Sequence, residues 1–223
     1  MDSIDVPAAA SPEATEALNE GLRALQDALR TPGLETAIYS GLRPEFIDAM
    51  ERWWAAYDRY TEHVSAALET TCKAGCHFCC NDNPTGISGV ELLWVLRGLP
   101  ERLQGEAAPA AERFDALAEQ WGDEKAQHLV KANLDICMYL EEGLCQVYAS
   151  RPMACRMFFS ITPPYRCDPA FPADATNPKL EPPQVLKELL KAISHRLGLH
   201  RLPPDLRRGM RAIEAKPTPG LAR

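Results

Sequence analysis

The apolar periodicity of this chain predicts a mainly α fold: a helical domain with one small β-hairpin and loops built around a cysteine-rich centre. Three observations carry that reading. Apolar residues recur at spacings of three and four through much of the 223 residues, which gathers them on one face of a helix. Only the stretch 137–148 has the short extended runs of paired strands. All eight cysteines lie between Cys72 and Cys167, four of them within the nine residues 72–80, a clustering that scattered core cysteines would not show.

Residues 1–14 are rich in Ala, Pro and Ser and read as a disordered N-terminus. Leu18, Leu22, Leu25 and Leu29 then recur at helical spacing, and Thr31-Pro32-Gly33 stops the helix. Pro44, favourable in a first turn, opens a second helix towards Leu68. Its stripe of Phe46, Met50, Trp53, Tyr57, Tyr60 and Val64, with Trp54 alongside, reads as core. Residues 15–71 are thus N-terminal helices that lead directly into the first cysteines. Asn81 to Gly86 has turn chemistry. Ser88 is placed to cap a short helix through Glu91, Leu92, Val95 and Leu96, ended by Gly98 and Pro100. From Pro109 to about Leu134 one or two helices carry Phe114, Leu117 and Trp121 on a face, with Gly122 as the break. The cysteine region spans 72–167. A last helix from about Pro183 to Leu197 and a basic, Pro-rich tail make up 168–223. There is no internal repeat.

The hairpin runs from Cys137 to Tyr148 and turns at Glu141-Glu142-Gly143. Cys137 and Cys145 are equidistant from Glu141, so the expected register sets them opposite each other with Cβ atoms roughly 5 Å apart.

Composition narrows the function classes. With 46% hydrophobic residues the chain can build its own core rather than depend wholly on a metal. No run approaches the roughly 20 apolar residues of a membrane span, and the first residues do not resemble a signal peptide. The expected location is the cytoplasm, where thiols stay reduced. That favours metal sites over a disulfide framework, the alternative that an even cysteine count leaves open. The net charge of −7 divides into +5 from His195 onward and −12 before it. The basic end has no aromatic ring to stack on a base and reads as a solvated tail, so neither nucleic acid nor a membrane is an expected partner. An unknown protein partner stays open.

A thiolate is the soft, anionic ligand that zinc and iron–sulfur clusters require. The candidate metal ligands are Cys72, Cys76, Cys79, Cys80, Cys137, Cys145, Cys155 and Cys167. In a helix the first three would share a face; Gly75 favours a loop, in which backbone N–H groups can turn towards the sulfurs. Adjacent Cys79 and Cys80 point different ways, which suits two neighbouring sites or one ligand and one supporting thiol. Ser150 is placed to cap a turn beginning at Pro152 that presents Cys155. Arg151, Arg156 and Arg166 bring positive charge near the later thiols and would favour their thiolate forms. His77 is a ligand or supporting donor; His63, His128, His195 and His200 read as surface residues. No Ser/His/Asp arrangement, phosphate-cradling loop or paired-carboxylate motif stands out.

Cys72-x3-Cys76-x2-Cys79-Cys80, followed by Cys137, Cys145, Tyr148, Arg151-Pro152 and Cys155-Arg156 in order, resembles the YkgJ-type cysteine-cluster family with its CxxCxxCC signature. The resemblance covers residues 72–167 and implies a domain that chelates zinc or iron. The chain departs from the signature in its first gap, three residues instead of two, and in the long insert from Asn81 to Ile136. Cys72-x3-Cys76-x2-Cys79, with Phe78 before the last cysteine, is also similar to the motif of radical S-adenosylmethionine enzymes. The strands of their barrel, however, are missing here. Flagellin lysine-N-methylases are similar in their cysteine motif as well.

Together these readings describe a cytosolic metal-binding protein with a cysteine-ligated iron–sulfur or zinc centre, iron–sulfur preferred. Its role would be redox, metal-handling or accessory. The alternative is an iron–sulfur-dependent enzyme for methyl transfer or radical-type chemistry on a protein or small molecule. Whether the chain is an enzyme, and which residues would be catalytic, the sequence leaves open.

Overall fold

The computed structural model describes residues 11–72, 76–81, 84–132, 136–161, 163–167 and 183–216. The fold is mainly α with one small hairpin. Among the described residues no helix is long and apolar enough to cross a membrane.

Helix α1 (Pro12–Arg30) begins where the Ser11 hydroxyl accepts the Ala14 N–H at 3.3 Å, a capping bond that satisfies one of the orphan donors of the first turn. It therefore takes in residues 12–14, which composition assigns to a disordered terminus; residues 1–10 lie outside the described residues. Thr31 ends the helix as expected. A 3-10 turn at Leu34–Thr36 and the short helix α2 (Ala37–Ser40), for which the sequence has no clear signal, lead to α3 (Pro44–Ala67). The whole predicted stripe of α3 is buried, from Phe46 to Val64, with Trp54. Helix α1 packs along it. Gly21 makes the close approach: a Cβ there would stand 2.9 Å from the Trp53 ring.

Helix α4 (Gly89–Gly98) carries the capping box of Ser88 and Glu91. Its first turn is tied to α8 (Gln184–Arg196) by the Val90 N–H, which donates to Ser194 Oγ at 2.9 Å. Helices α5 (Ala107–Trp121) and α6 (Asp123–Ala132) are separated by Gly122 at φ +79°, the predicted break. Phe114 is buried and Leu117 packs beside it, but Trp121 is 47% exposed with the Lys125 ammonium over its ring. The apolar face thus stops short of Trp121.

The tail needs correction. Instead of a solvated end, Asp205 caps a further helix, α9 (Leu206–Glu214), by accepting the N–H groups of Arg207 and Arg208. Leu206, Met210 and Ile213 are buried, and α9 packs on α4 and α5. The basic residues are paired: Arg208 with Asp115 and Asp123, Arg211 with Asp115, and buried Arg207 with Asp205. Before it, the chain runs against residues 84–87, with the Ile87 N–H on Pro204 O at 3.1 Å and the Leu206 N–H on Pro84 O at 3.3 Å. Residues 217–223 lie outside the described residues.

Candidate metal centre

The two cysteine groups, separated in sequence by α4, α5 and α6, meet through backbone hydrogen bonds. Thr71 donates to Ser160 O through its N–H (2.8 Å) and its hydroxyl (3.2 Å), and the Ser160 N–H donates back to Cys72 Sγ at 3.2 Å. Cys79 and Cys80 lie in a 3-10 turn, Phe78–Asn81, closed by the Cys80 N–H on His77 O at 2.9 Å. That turn packs on a second one, Pro164–Cys167. The Cys137 N–H donates to Cys80 O at 3.0 Å. Residues 73–75, and with them the predicted loop at Gly75, lie outside the described residues.

The hairpin forms with a different register from the one expected. Strands β1 (Leu140–Glu141) and β2 (Leu144–Cys145) pair Leu140 with Cys145 and Glu141 with Leu144. The turn is Glu142-Gly143, both at positive φ (+50° and +77°). A two-residue hairpin loop matches the strand twist only with such residues at its centre, and that places the axis of the ladder after Glu141 rather than on it. Cys137 therefore precedes the paired strands. It still neighbours Cys145, close enough for the Cys145 thiolate to disfavour that of Cys137.

Cys155 sits on the one-turn helix α7 (Met153–Arg156). Ser150 does not cap it; its hydroxyl turns back to Val147 O at 3.3 Å. Glu91, buried at the start of α4, does so instead and accepts the Met153 N–H at 2.9 Å. Seven thiols, all but that of Cys167, line one cleft of about 2060 Å³. Its other walls include Ser88, Glu91, Lys187, Lys191, His195 and His200. Cys167 neighbours Cys72. None of the eight cysteines is joined in a disulfide.

Electrostatics divides these thiols into an inner and an outer set. Cys155 feels the charges of Cys137, Cys145 and Cys79, while exposed Cys72 feels those of Cys76, Cys79 and Cys167. Cys79 belongs to both surroundings and is hydrogen-bonded to Cys80. Burial raises Cys155 well above the ordinary thiol value, pushes Cys137 up to about 11, and also raises Cys72 and Cys145. Cys79 is raised first by its bond to Cys80 and then by burial. Four backbone N–H groups work the other way, those of Tyr139 on Cys137, Val147 on Cys145, Ser160 on Cys72 and Cys79 on its own thiol. N–H donors of this kind stabilise sulfur ligands.

The arginines have divided roles. Arg151 favours the thiolates of Cys79, Cys145 and Cys155 as expected. Arg156 favours that of Cys145, but its guanidinium is turned to Asp58 of α3. The Arg166 side chain lies outside the described residues. Cys137 is favoured by Arg207 of α9, which sequence reasoning missed. The signal was present: Asp205 followed by Leu206, Met210 and Ile213 at helical spacing. Glu91 was legible only as a residue of the helix that Ser88 caps. His77 stacks on Phe78 and His195 on His200.

Among the described residues no three His, Cys, Asp or Glu side chains stand as a formed metal-holding group. The thiols are gathered without being closed into a cage. In chemistry the donor set fits a thiophilic metal: clustered thiolates would repel one another and need a cation among them, and each group is supplied with N–H donors. No curated protein and no solved structure matches the chain. Residues 71–168, which hold all eight cysteines, match the family model "CxxCxxCC: Putative zinc- or iron-chelating domain".

Proposed function

We propose that the protein carries a cysteine-ligated metal centre, iron–sulfur in preference to zinc, and serves a redox, metal-handling or accessory role in the cytosol. The observation that carries this reading is the lining of one cleft by seven cysteines, none in a disulfide, from both ends of the cysteine region. Cys79, Cys137, Cys145 and Cys155 are the inner ligands, and Cys72, Cys76, Cys80 and Cys167 the outer ones. A zinc ion held by four sulfurs is closed and structural, and such an ion makes no use of a cleft of this size. An iron–sulfur cluster supplies one-electron redox chemistry and is tuned by N–H bonds to its sulfurs. The exposed side chains of Leu144 and Tyr148 on the cleft wall support a protein partner for an accessory role.

The second reading is an iron–sulfur-dependent enzyme, favoured by the room beside the thiols for a substrate. Anaerobic purification of the full chain, with metal and sulfide analysis, tests both. A brown protein with iron and sulfide in equal amounts is expected. Colourless protein with stoichiometric zinc would replace iron–sulfur by the structural role, and metal-free protein would end the proposal. Binding of S-adenosylmethionine to the iron form would promote the enzyme.

A further inference from the structure

Cys155 is carried by a helix of four residues, and one isolated turn does not hold itself. Its conformation has to come from what surrounds it: Glu91 accepts the Met153 N–H at its start, and the side chain next to Cys155 ties down its end. Arg156 is fully buried. Its Nε donates to Arg151 O at 3.0 Å and its Nη2 to Ala149 O at 2.6 Å, which closes the loop before α7 upon the helix. Nη1 pairs with Asp58, and the guanidinium lies over the Trp54 ring at 4.6 Å. Asp58 and Trp54 belong to α3, outside the matched stretch 71–168. A planar fork of donors reaches all these partners at once; an ammonium does not.

We infer that Arg156 is a positioning residue for Cys155: it locks α7 to α3 through Asp58 and Trp54 and so holds the Cys155 sulfur towards Cys79, Cys137 and Cys145. Helix α3 is thereby part of the thiol centre's scaffold. A buried guanidinium is costly compared with an apolar side chain, and fixing one conformation is a role that offsets such a cost. The importance of this lock for metal rests on the proposed function; the lock itself does not require metal.

The experiment therefore reads both. In the full-length chain, alkylation by iodoacetamide is followed at each cysteine by mass spectrometry in reductant and chelator, and Zn²⁺ affinity is measured separately. Arg156→Gln and Asp58→Ala are expected to speed alkylation of Cys155 about tenfold or more while leaving exposed Cys72 unchanged, and to weaken zinc binding about 10- to 100-fold. Asp58→Asn, which keeps an acceptor oxygen, should retain most of the protection. If Arg156→Gln does not fold, Asp58→Ala decides. Unchanged Cys155 labelling in Asp58→Ala, or equal acceleration at all eight cysteines, overturns the inference. Wild-type protein that binds no zinc or iron defeats the metal reading alone, because the labelling still decides the lock.

Discussion

The carboxylate of Glu91 accepts the backbone N–H of Met153 at 2.9 Å, across 62 positions of sequence. The same side chain accepts the Ser88 N–H at 2.8 Å and the Ser88 hydroxyl at 2.7 Å. One buried group thus starts α4 and α7 together and makes the Cys155 turn continuous with the helical core. Glu91→Ala leaves three donors without their acceptor and should cost about 3 kcal/mol or more in urea unfolding. Burial raises the Glu91 pKa, so the folded state binds its proton more tightly than the unfolded chain. This group's contribution therefore favours folding increasingly as pH falls through the raised value towards the ordinary one. Glu91→Gln should lose that component of the pH profile while keeping more stability than Glu91→Ala.

Cys76→Ser and Cys155→Ser each remove a proposed ligand, one from the outer set and one from the inner. Metal per chain should fall clearly below wild type in both. Protease sensitivity should increase within residues 71–168. Full metal content in both variants would contradict the assignment of these sulfurs.

Metal uptake by this centre should release protons. Cys137 is pushed up to about 11 and its neighbours are raised as well, so in the metal-free protein these sulfurs carry protons at neutral pH. Each ligand must lose its proton to bind. Zinc affinity is expected to fall by about tenfold or more per pH unit as pH is lowered from about 8 to about 6. Titration in two buffers of different ionisation enthalpy measures the proton count; a flat profile would show that these thiols are not the ligands.

Gly89 opens α4 where the chain after α8 crosses it. A Cβ there would collide with the carbonyl oxygen and Cβ of Leu199. Because one of those atoms is backbone, it cannot rotate away. Gly89→Ala should destabilise the fold by about 1–3 kcal/mol, seen as a lower thermal midpoint. Gly209 makes the matching approach from α9, with its added Cβ 2.5 Å from Leu92 and 2.7 Å from Pro203 O.

Helix α9 is joined to α5 through Asp115, which accepts Arg208 at 2.5 Å and Arg211 at 2.8 Å. Burial pushes this carboxyl up, but the two guanidiniums outweigh it and hold it below its ordinary value. The stabilising contribution is complete above the ordinary value of 3.8 and is lost as pH falls through the depressed one. Acid unfolding of Asp115→Asn should lack this component, while an unchanged acid limb would show that the pairing is too exposed to matter.

Much of the helical frame is written in local pattern. The α3 stripe, the Ser88 cap and the Gly122 break each depend on residues within a few positions of one another, and each is found where the spacing puts it. The hairpin was legible as a pair of strands, but its register was not. A symmetric count about Glu141 ignores that the two turn residues, Glu142 and Gly143, must be the ones with positive φ. Helix α9 was obscured by its charges. Arg207, Arg208 and Arg211 look solvated until Asp205, Asp115 and Asp123 are brought to them from other parts of the chain.

By itself, the amino-acid order determined the helix-forming segments and the donor chemistry, because periodicity, caps and thiol content are properties of neighbouring residues. Which sulfurs meet was decided only by tertiary structure. Cys80 reaches Cys137 through a backbone bond, Cys72 reaches Ser160, and Cys155 is held by Glu91 and by the Arg156 contact with Asp58. Such meetings depend on long-range burial and on polar groups finding distant partners once water is excluded, and no local spacing encodes them.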